Sequence, residues 1–154
     1  MSIKKIWVHL LSLEEVNRRS KNTLSDHLNI DFVDVGDRHL TARMPVESRT
    51  HQPMGIMHGG ASAALAETVA SAAANYCVDQ KEKVCVGLEL NINHLRPVQS
   101  GFIEAIAEPL HLGRTTQVWD IKIHDSQQRL VSVARLTLAV IEKRIEQRKE
   151  GPLS

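Results

Sequence analysis

One acidic residue, Glu67, lies in the middle of an alanine-rich segment that runs over residues 61–78. A carboxylate among apolar neighbours is costly unless it is paired, protonated or used in a reaction. Ser71 and Asn75 follow at i+4 and i+8, so in a helix the three side chains form one polar line. We interpret Glu67 as a base that activates water. The alternative is a structural role, in which Glu67 is hydrogen-bonded internally or meets a partner subunit.

A histidine and two glycines, His58, Gly59 and Gly60, stand directly before this segment. Glycines let the backbone approach a ligand closely, and N–H groups at the start of a helix face developing negative charge. The pattern therefore predicts an oxyanion hole. Gln52 and His58 flank the intervening loop and could orient a carbonyl, a water or a leaving group. His51 could compete for that role, and either histidine could equally be a loop residue without chemistry.

Two other chemistries fit the residues less well. The eight histidines are scattered, and His51 with His58 does not form the i, i+4 pair of a zinc-binding helix, so we expect no metal ion. Cys77 and Cys85 lie inside apolar segments without CxxC spacing. We therefore predict that both are reduced core residues and not nucleophiles. Reduced cysteines are typical of a cytoplasmic protein. We expect no cofactor.

The composition limits the class of protein. A chain of 154 residues with 42 % hydrophobic and 24 % charged side chains predicts one compact domain. A net charge of +1 and five aromatic residues argue against a nucleic-acid partner. No apolar run reaches about eighteen residues, and the stretch 6–13 is interrupted by His9 and has no cleavage pattern. We therefore expect neither a membrane span nor a signal peptide.

Periodicity predicts the elements that must position these residues. Helical spacing predicts two short amphipathic helices, over residues 3–11 and 13–19, the second opened by a capping box of Ser12 and Glu15. Alternation predicts a hairpin over 28–46, followed by a loop over 47–60 and the buried helix over 61–78. Four successive strands, expected to form a meander, then occupy 84–95, 101–112, 115–124 and 130–141. The order contains no βαβ unit and predicts an α+β fold, an antiparallel sheet wrapped on one helix.

The segment QPMGIMHGGASAALAETVAS, from Gln52 to Ser71, resembles the hotdog-fold acyl-CoA thioesterases. The branch it resembles includes 4-hydroxybenzoyl-CoA thioesterase, the phenylacetate-pathway thioesterases and, as the most similar group, 1,4-dihydroxy-2-naphthoyl-CoA thioesterase. The likeness continues in MPVESRT (44–50), VGLELNINHLRP (86–97) and PLHLGRTTQVW (109–119). It covers the chain from the first helix to Ile141, so we expect one hotdog domain over residues 1–141 and a charged, frayed tail over 142–154.

The resemblance implies a long helix wrapped by a curved antiparallel sheet. It also implies a homodimer whose sheets join edge to edge, with two dimers packed into a homotetramer. Active sites of this branch lie at the dimer interface, so Glu67 of one subunit would face Gln52, His58 and Gly59 of the other.

The resemblance also implies residue roles in the hydrolysis of an aromatic or medium-chain acyl-CoA. Glu67 would be the base or a nucleophile that forms a mixed anhydride, and Gly59 would donate its N–H to the thioester oxygen. Gln52 and His58 would position the reacting group, and Ser71 would hold the attacking water or the acyl group. The expected coenzyme A contacts are Gly87, His94, Leu95, Arg96, Pro97, His111, Leu112, Gly113, Arg114, Thr115 and Thr116. Arg96 and Arg114 are either phosphate partners or solvated turn residues.

Two alternatives remain at this stage. The first is a thioester hydratase or dehydratase on the same fold, whose usual motif sets the histidine and the helix carboxylate farther apart. The second is a non-catalytic acyl-CoA sensor, although the chain has no spare length for a DNA-binding domain.

Overall fold

The computed structural model describes residues 4–143, which contain three α-helices: α1 (Leu13–Arg19), α2 (Leu24–His27) and α3 (Gly59–Tyr76). The capping box predicted for α1 is present in part, because the Ser12 hydroxyl accepts a hydrogen bond from the Glu15 N–H at 3.4 Å. The long helix predicted over 61–78 is confirmed as α3. It begins two residues earlier than predicted because His58 caps it. None of these helices has the length and apolar character needed to cross a membrane.

The described residues form one antiparallel sheet of six strands in the order β1-β2-β4-β5-β6-β3. All six predicted strands are present, with boundaries within a few residues of those expected. Their bounds are β1 Asp31–Val35, β2 Leu40–Pro45, β3 Lys83–His94, β4 Phe102–Leu112, β5 Thr116–Asp125 and β6 Leu130–Glu142. The sheet and the long helix together form the hotdog fold that the resemblance implied.

The prediction of a four-strand meander is wrong for β3. Strands β4, β5 and β6 do follow one another across the sheet, but β3 pairs with β6 and forms an edge. Asn75, near the end of α3, holds the strand in this position. Its side-chain oxygen accepts from the Cys85 N–H at 2.9 Å, and its amide donates to the Cys85 carbonyl at 3.0 Å.

The core lies between α3 and the inner face of the sheet. Leu65 and Val69 on the helix are fully buried, as are Trp119 and Leu136 on β5 and β6. The small residues Ala66, Ala70, Ala73 and Ala74 are also fully buried and allow the sheet to approach the helix closely. The opposite side of α3, which carries Glu67, Ser71 and Asn75, is only half-buried.

The helix predicted over residues 3–11 is wrong within the described part of the chain, because residues 4–12 form no helix. Their backbone N–H groups bind neighbouring elements instead: Ile6 donates to the Asp37 carbonyl and Val8 donates to the carbonyl of Tyr76. The Trp7 indole N–H also donates to Gly36 at 2.8 Å. At the other end of the chain, β6 continues to Glu142, and the tail predicted from there lies, after residue 143, outside the described residues.

Candidate active site

The start of α3 presents an unpaired N–H group. The His58 ring caps the helix, since its Nδ1 accepts from the Gly60 N–H at 2.8 Å, and the Ala61 N–H donates to the His58 carbonyl. Within the described residues the Gly59 N–H has no hydrogen-bond partner. The first amides of a helix lack intrahelical acceptors and carry the positive end of its dipole, so Gly59 offers a donor to an oxygen that develops negative charge.

The loop before α3 is held by its own backbone and by the segment after β3. Met57 donates to the Val98 carbonyl at 2.8 Å, and the positive φ of Gly55 (74°) turns the chain between Gln52 and Met57. The Gln52 side-chain oxygen accepts from the Met54 N–H at 2.5 Å, which leaves its NH₂ group as the free end. His51 is less available for chemistry because its Nε2 contacts the Gln99 carbonyl at 2.9 Å.

A cleft of about 350 Å³ brings two sets of predicted residues together. Gln52 and Gly59, predicted to act on the reacting group, line one part of it, and Ser62 of α3 lies beside them. The remaining wall contains the segment predicted to contact coenzyme A, namely His94, Leu95, Arg96 and Pro97. The end of β3 and the start of α3 therefore share one concave surface.

Glu67 lies elsewhere, against the strand residue Gly87. A Cβ built on Gly87 would collide with Oε1 of Glu67 and would lie 3.8 Å from Leu136. The carboxylate is half-buried and forms no hydrogen bond or ion pair with any described residue. Gly87, expected to contact coenzyme A, is thus the residue whose missing side chain gives the Glu67 carboxylate its space.

Within one chain Glu67 and Gly59 do not form a single site. They are eight positions apart on α3, which corresponds to about 12 Å along the helix axis. Glu67 does not line the cleft that contains Gly59 and Gln52. Their neighbours on the adjacent strand are also separate, since Gly87 faces Glu67 and His94, seven positions later, faces Gly59.

Ser71 and Asn75, two members of the polar line on α3, differ in their hydrogen bonding. Asn75 is fully engaged, since its amide also donates to the Ser71 carbonyl at 2.9 Å. The Ser71 hydroxyl, one turn after Glu67, has no hydrogen-bond partner among the described residues and is half-buried. Next to this line lies a cavity of about 370 Å³, whose lining includes Thr68 and Ala72 of α3, Val16 of α1 and Phe32 of β1.

The second segment predicted to bind coenzyme A lies far from the cleft. His111, Leu112, Gly113, Arg114, Thr115 and Thr116 form the end of β4 and the turn into β5. Thr116 pairs with Ala139 of β6, whereas His94 pairs with Ser132 of the same strand. Seven positions along a strand correspond to about 23 Å. The turn instead lies near Gly87, which pairs with Leu138.

The two cysteines are unsuited to nucleophilic chemistry. Burial raises the pKa of the Cys77 thiol to about 12 and that of the Cys85 thiol to about 11. A thiol with such a pKa holds almost no thiolate at neutral pH. Among residues 4–143 no three His, Cys, Asp or Glu side chains are grouped closely enough to hold a metal ion.

Ser132 is a polar residue of the cleft that the sequence analysis did not predict. Ser132 lies on β6, is 2 % exposed, and its Oγ is 3.1 Å from Nδ1 of His94. No motif marks this serine, because its proximity to His94 depends on the pairing of β3 with β6.

Comparison with known proteins places these features in context. The model of the thioesterase superfamily matches residues 54–132. A Vibrio cholerae protein named as an esterase, VC_A0580, is 50 % identical over 144 residues, covering 94 % of this chain and 95 % of that protein. The crystal structure of a mutant of the thioesterase PA1618 from Pseudomonas aeruginosa superposes with a TM-score of 0.89 at 47 % identity, covering 90 % of this chain and all of that one. The thioesterase HI1161 from Haemophilus influenzae has the same TM-score at 44 % identity, covering 92 % of this chain and 99 % of its own.

Proposed function

Because the chain belongs to the thioesterase superfamily and is a thioester hydrolase, we propose that it cleaves acyl-CoA thioesters with Glu67 as the attacking or water-activating group. The products are a carboxylic acid and free coenzyme A. We place it in the branch that acts on aromatic or medium-chain acyl groups, near the 1,4-dihydroxy-2-naphthoyl-CoA thioesterases. The observation that carries the proposal is the Glu67 carboxylate beside Gly87, on the same helix that presents the Gly59 N–H; neither group has a partner within residues 4–143.

A complete site needs two copies of the chain, because one chain separates the carboxylate from the amide donor by about 12 Å along α3. The unpaired edge of the sheet offers a way to combine them. Strand β3 is 12 residues long, and its exposed apolar side chains include Val86 and Leu88, which are 40 % and 62 % exposed. A long edge strand of this kind is a template for pairing with another strand.

The contacts of β3 are consistent with one particular register of such a pair. If two copies of β3 pair antiparallel about a twofold axis between Leu90 and Asn91, Gly87 of each copy lies opposite His94 of the other. Glu67 contacts Gly87, and Gly59 lies next to His94, so this register brings the carboxylate of one copy to the amide donor of its partner. We propose this homodimer, with two dimers forming a tetramer, as the active assembly.

The same register supports the expected coenzyme A contacts. The segment His94–Pro97 of one copy would lie near Gly87 of the other, and therefore near the partner's β4–β5 turn at residues 113–116. Both segments carry an exposed arginine, Arg96 and Arg114, able to form paired bonds with phosphate oxygens. Two segments about 23 Å apart in one chain thus become neighbours across the interface.

The chemistry follows from this arrangement. The thioester oxygen accepts from the Gly59 N–H, while Gln52 and His58 orient the reacting group. Glu67 of the partner either removes a proton from a water held near Ser71 or attacks the carbonyl carbon itself to form an anhydride that water then cleaves. In both routes the new carbon–oxygen bond forms first and places negative charge on the thioester oxygen. The carbonyl then re-forms as the carbon–sulfur bond breaks, and coenzyme A leaves as a thiolate that takes up a proton from water.

The cavity beside the polar line supports an apolar acyl group. Its volume of about 370 Å³ lies within the range of about 300–1,000 Å³ that small-molecule pockets occupy. Val16, Phe32 and Ala72 supply apolar walls, and Arg19, Lys83 and Lys143 add cationic groups to the rest of the lining. We propose that the thioester carbonyl lies at the Glu67 carboxylate and that the acyl group attached to it extends into this cavity.

A hydrolysis panel with free thiol detection tests this function. Naphthoyl-, benzoyl-, phenylacetyl- and fatty acyl-CoA are supplied to the wild type, to Glu67→Gln and to the control Glu108→Gln, an exposed carboxylate on β4 that forms no ion pair within the described residues. We expect Glu67→Gln to lower kcat by about 10²–10⁴-fold and the control to match the wild type. Hydration of an enoyl-CoA without thiol release would instead favour the hydratase, and tight binding without turnover would favour the sensor.

A further inference from the structure

His94 and Ser132 are partners across the β3–β6 ladder, and their side chains meet on the side that faces the cleft. The ring Nδ1 of His94 lies 3.1 Å from the Ser132 hydroxyl oxygen. Ser132 is 2 % exposed, and its hydroxyl makes no other hydrogen bond within residues 4–143. The serine therefore has one available partner, and that partner is the imidazole ring.

This geometry selects one tautomer of the neutral ring. If the serine O–H donates to Nδ1, the hydroxyl is satisfied and the ring carries its proton on Nε2. If Nδ1–H donates instead, the buried O–H has no acceptor, and a buried donor without a partner is unfavourable. The burial of Ser132 thus favours a His94 ring that presents an N–H at Nε2.

That Nε2 faces the start of α3. A Cβ built on Gly59 would lie 2.8 Å from Nε2 and 3.3 Å from Cδ2 of His94, so the edge of the ring occupies the space next to the Gly59 backbone. Nε2 has no hydrogen-bond partner among the described residues, and neither has the Gly59 N–H. Two free donors therefore lie side by side in one cleft.

We propose that His94 Nε2–H is a second donor to the oxyanion, beside the Gly59 N–H, and that Ser132 is the positioning residue that fixes the tautomer of His94. The inference rests on the proposed thioester hydrolysis and deepens it. His94 transfers no proton in this scheme. It stabilises the charge that forms on the thioester oxygen while the partner's Glu67 drives the attack, and the charge returns to the carbonyl as the thiolate leaves.

Kinetics of four variants test both roles. His94→Ala is expected to lower kcat by about 10²-fold, since one oxyanion donor accounts for about 10²–10³ in kcat, and to raise KM by a smaller factor through its expected coenzyme A contact. His94→Gln, which keeps an N–H donor near the position of Nε2, is expected to recover about tenfold of that loss. Ser132→Ala is expected to lower kcat about fivefold, and Ser132→Thr, which keeps the hydroxyl, to stay within about twofold of the wild type.

The double variant separates positioning from simple structural damage. Because Ser132 acts through His94, adding Ser132→Ala to His94→Ala should change kcat less than about twofold. A further loss in the double variant, or a His94→Ala enzyme within threefold of wild-type kcat, overturns the inference.

A measurement without substrate keeps the inference separate from the proposed function. Ring ¹⁵N spectra of the full-length protein should show His94 protonated at Nε2 and not at Nδ1, and Ser132→Ala should reduce that preference. A ring protonated at Nδ1 in the wild type refutes the tautomer. If the wild-type protein cleaves no thioester, the proposed function is wrong. If thioester hydrolysis depends on Glu67 but not on His94, only the present inference is wrong.

Discussion

Replacing Gly87 by alanine is expected to move the Glu67 carboxylate without unfolding the protein. The new Cβ would overlap Oε1 of Glu67, and heavy atoms at such contacts need more than about 3 Å, so the carboxylate must retreat by about 1 Å. The colliding atom is the far end of a flexible side chain, and the nearest atom of another residue, Leu136 Cδ1, lies at an ordinary 3.8 Å. Gly87 does not have a positive φ, so the strand accepts alanine without backbone strain.

The expected result is a large loss of activity with little change in stability. A displacement of about 1 Å in a reacting group can reduce the rate about 10²-fold, so we expect kcat of Gly87→Ala to fall by that order. The free energy of unfolding should change by less than about 1 kcal/mol, because alanine is a better strand residue than glycine. The assays are thiol release from an acyl-CoA and urea unfolding followed by circular dichroism.

A double-mutant cycle identifies the cause of the loss. In the Glu67→Ala background, Gly87→Ala should have no further effect on kcat, because the group it displaces is already absent. If Gly87→Ala alone leaves kcat unchanged, or if the two losses multiply, the carboxylate beside Gly87 is not the reacting group and the reasoning from this contact fails.

Three further predictions concern stability and reactivity. Asn75→Ala removes both side-chain hydrogen bonds to the Cys85 backbone and should lower the free energy of unfolding by about 2–4 kcal/mol, as measured by urea titration. An unchanged urea midpoint would mean that these two hydrogen bonds do not hold β3 at the sheet edge. Burial raises the pKa of Asp125, but hydrogen bonds from the Arg129 side chain and from two backbone N–H groups outweigh this effect and leave the pKa below its usual value. The ionised carboxylate therefore stabilises the fold above about pH 4. This stabilisation is lost as the pH falls through the lowered pKa. Asp125→Asn should therefore lower the urea midpoint at pH 7, and the difference from the wild type should shrink progressively as the pH falls below about 4. A difference independent of pH would contradict the ion pair. Cys77 and Cys85 should resist alkylation by iodoacetamide at pH 7.5 in the folded enzyme and react when the protein is unfolded in urea, as measured by mass spectrometry. Rapid alkylation of the folded protein would contradict their raised pKa values.

Local patterns predicted the elements of this fold well. Alternating apolar residues marked the first two strands, segments bounded by turns marked the other four, and the alanine-rich composition marked α3, because these signals depend only on neighbouring positions. The predicted helix over residues 3–11 failed for a reason that local spacing does not contain. There, backbone N–H groups bond to Asp37 and Tyr76, which are distant in sequence.

The candidate site was predictable in its residue types but not in its geometry. Glu67, Gly59 and Gln52 stood out because a lone carboxylate, paired glycines and a polar loop are unusual in an apolar context. The role of Gly87 as the space for Glu67, and the pairing of His94 with Ser132, depend on the position of β3 at the sheet edge. Strand order and register are set by contacts between residues far apart in sequence, so no local pattern marked them.

The measurement that tests the central claim most directly is complementation between two inactive variants. Glu67→Ala and Gln52→Ala chains carrying different tags are produced together, and the heterodimer is purified through both tags. If each site combines Glu67 of one copy with Gln52 and Gly59 of the other, the heterodimer has one intact site and should show about half of the wild-type kcat per dimer, far above either parent. A heterodimer no more active than the parent variants would contradict a site shared between two chains.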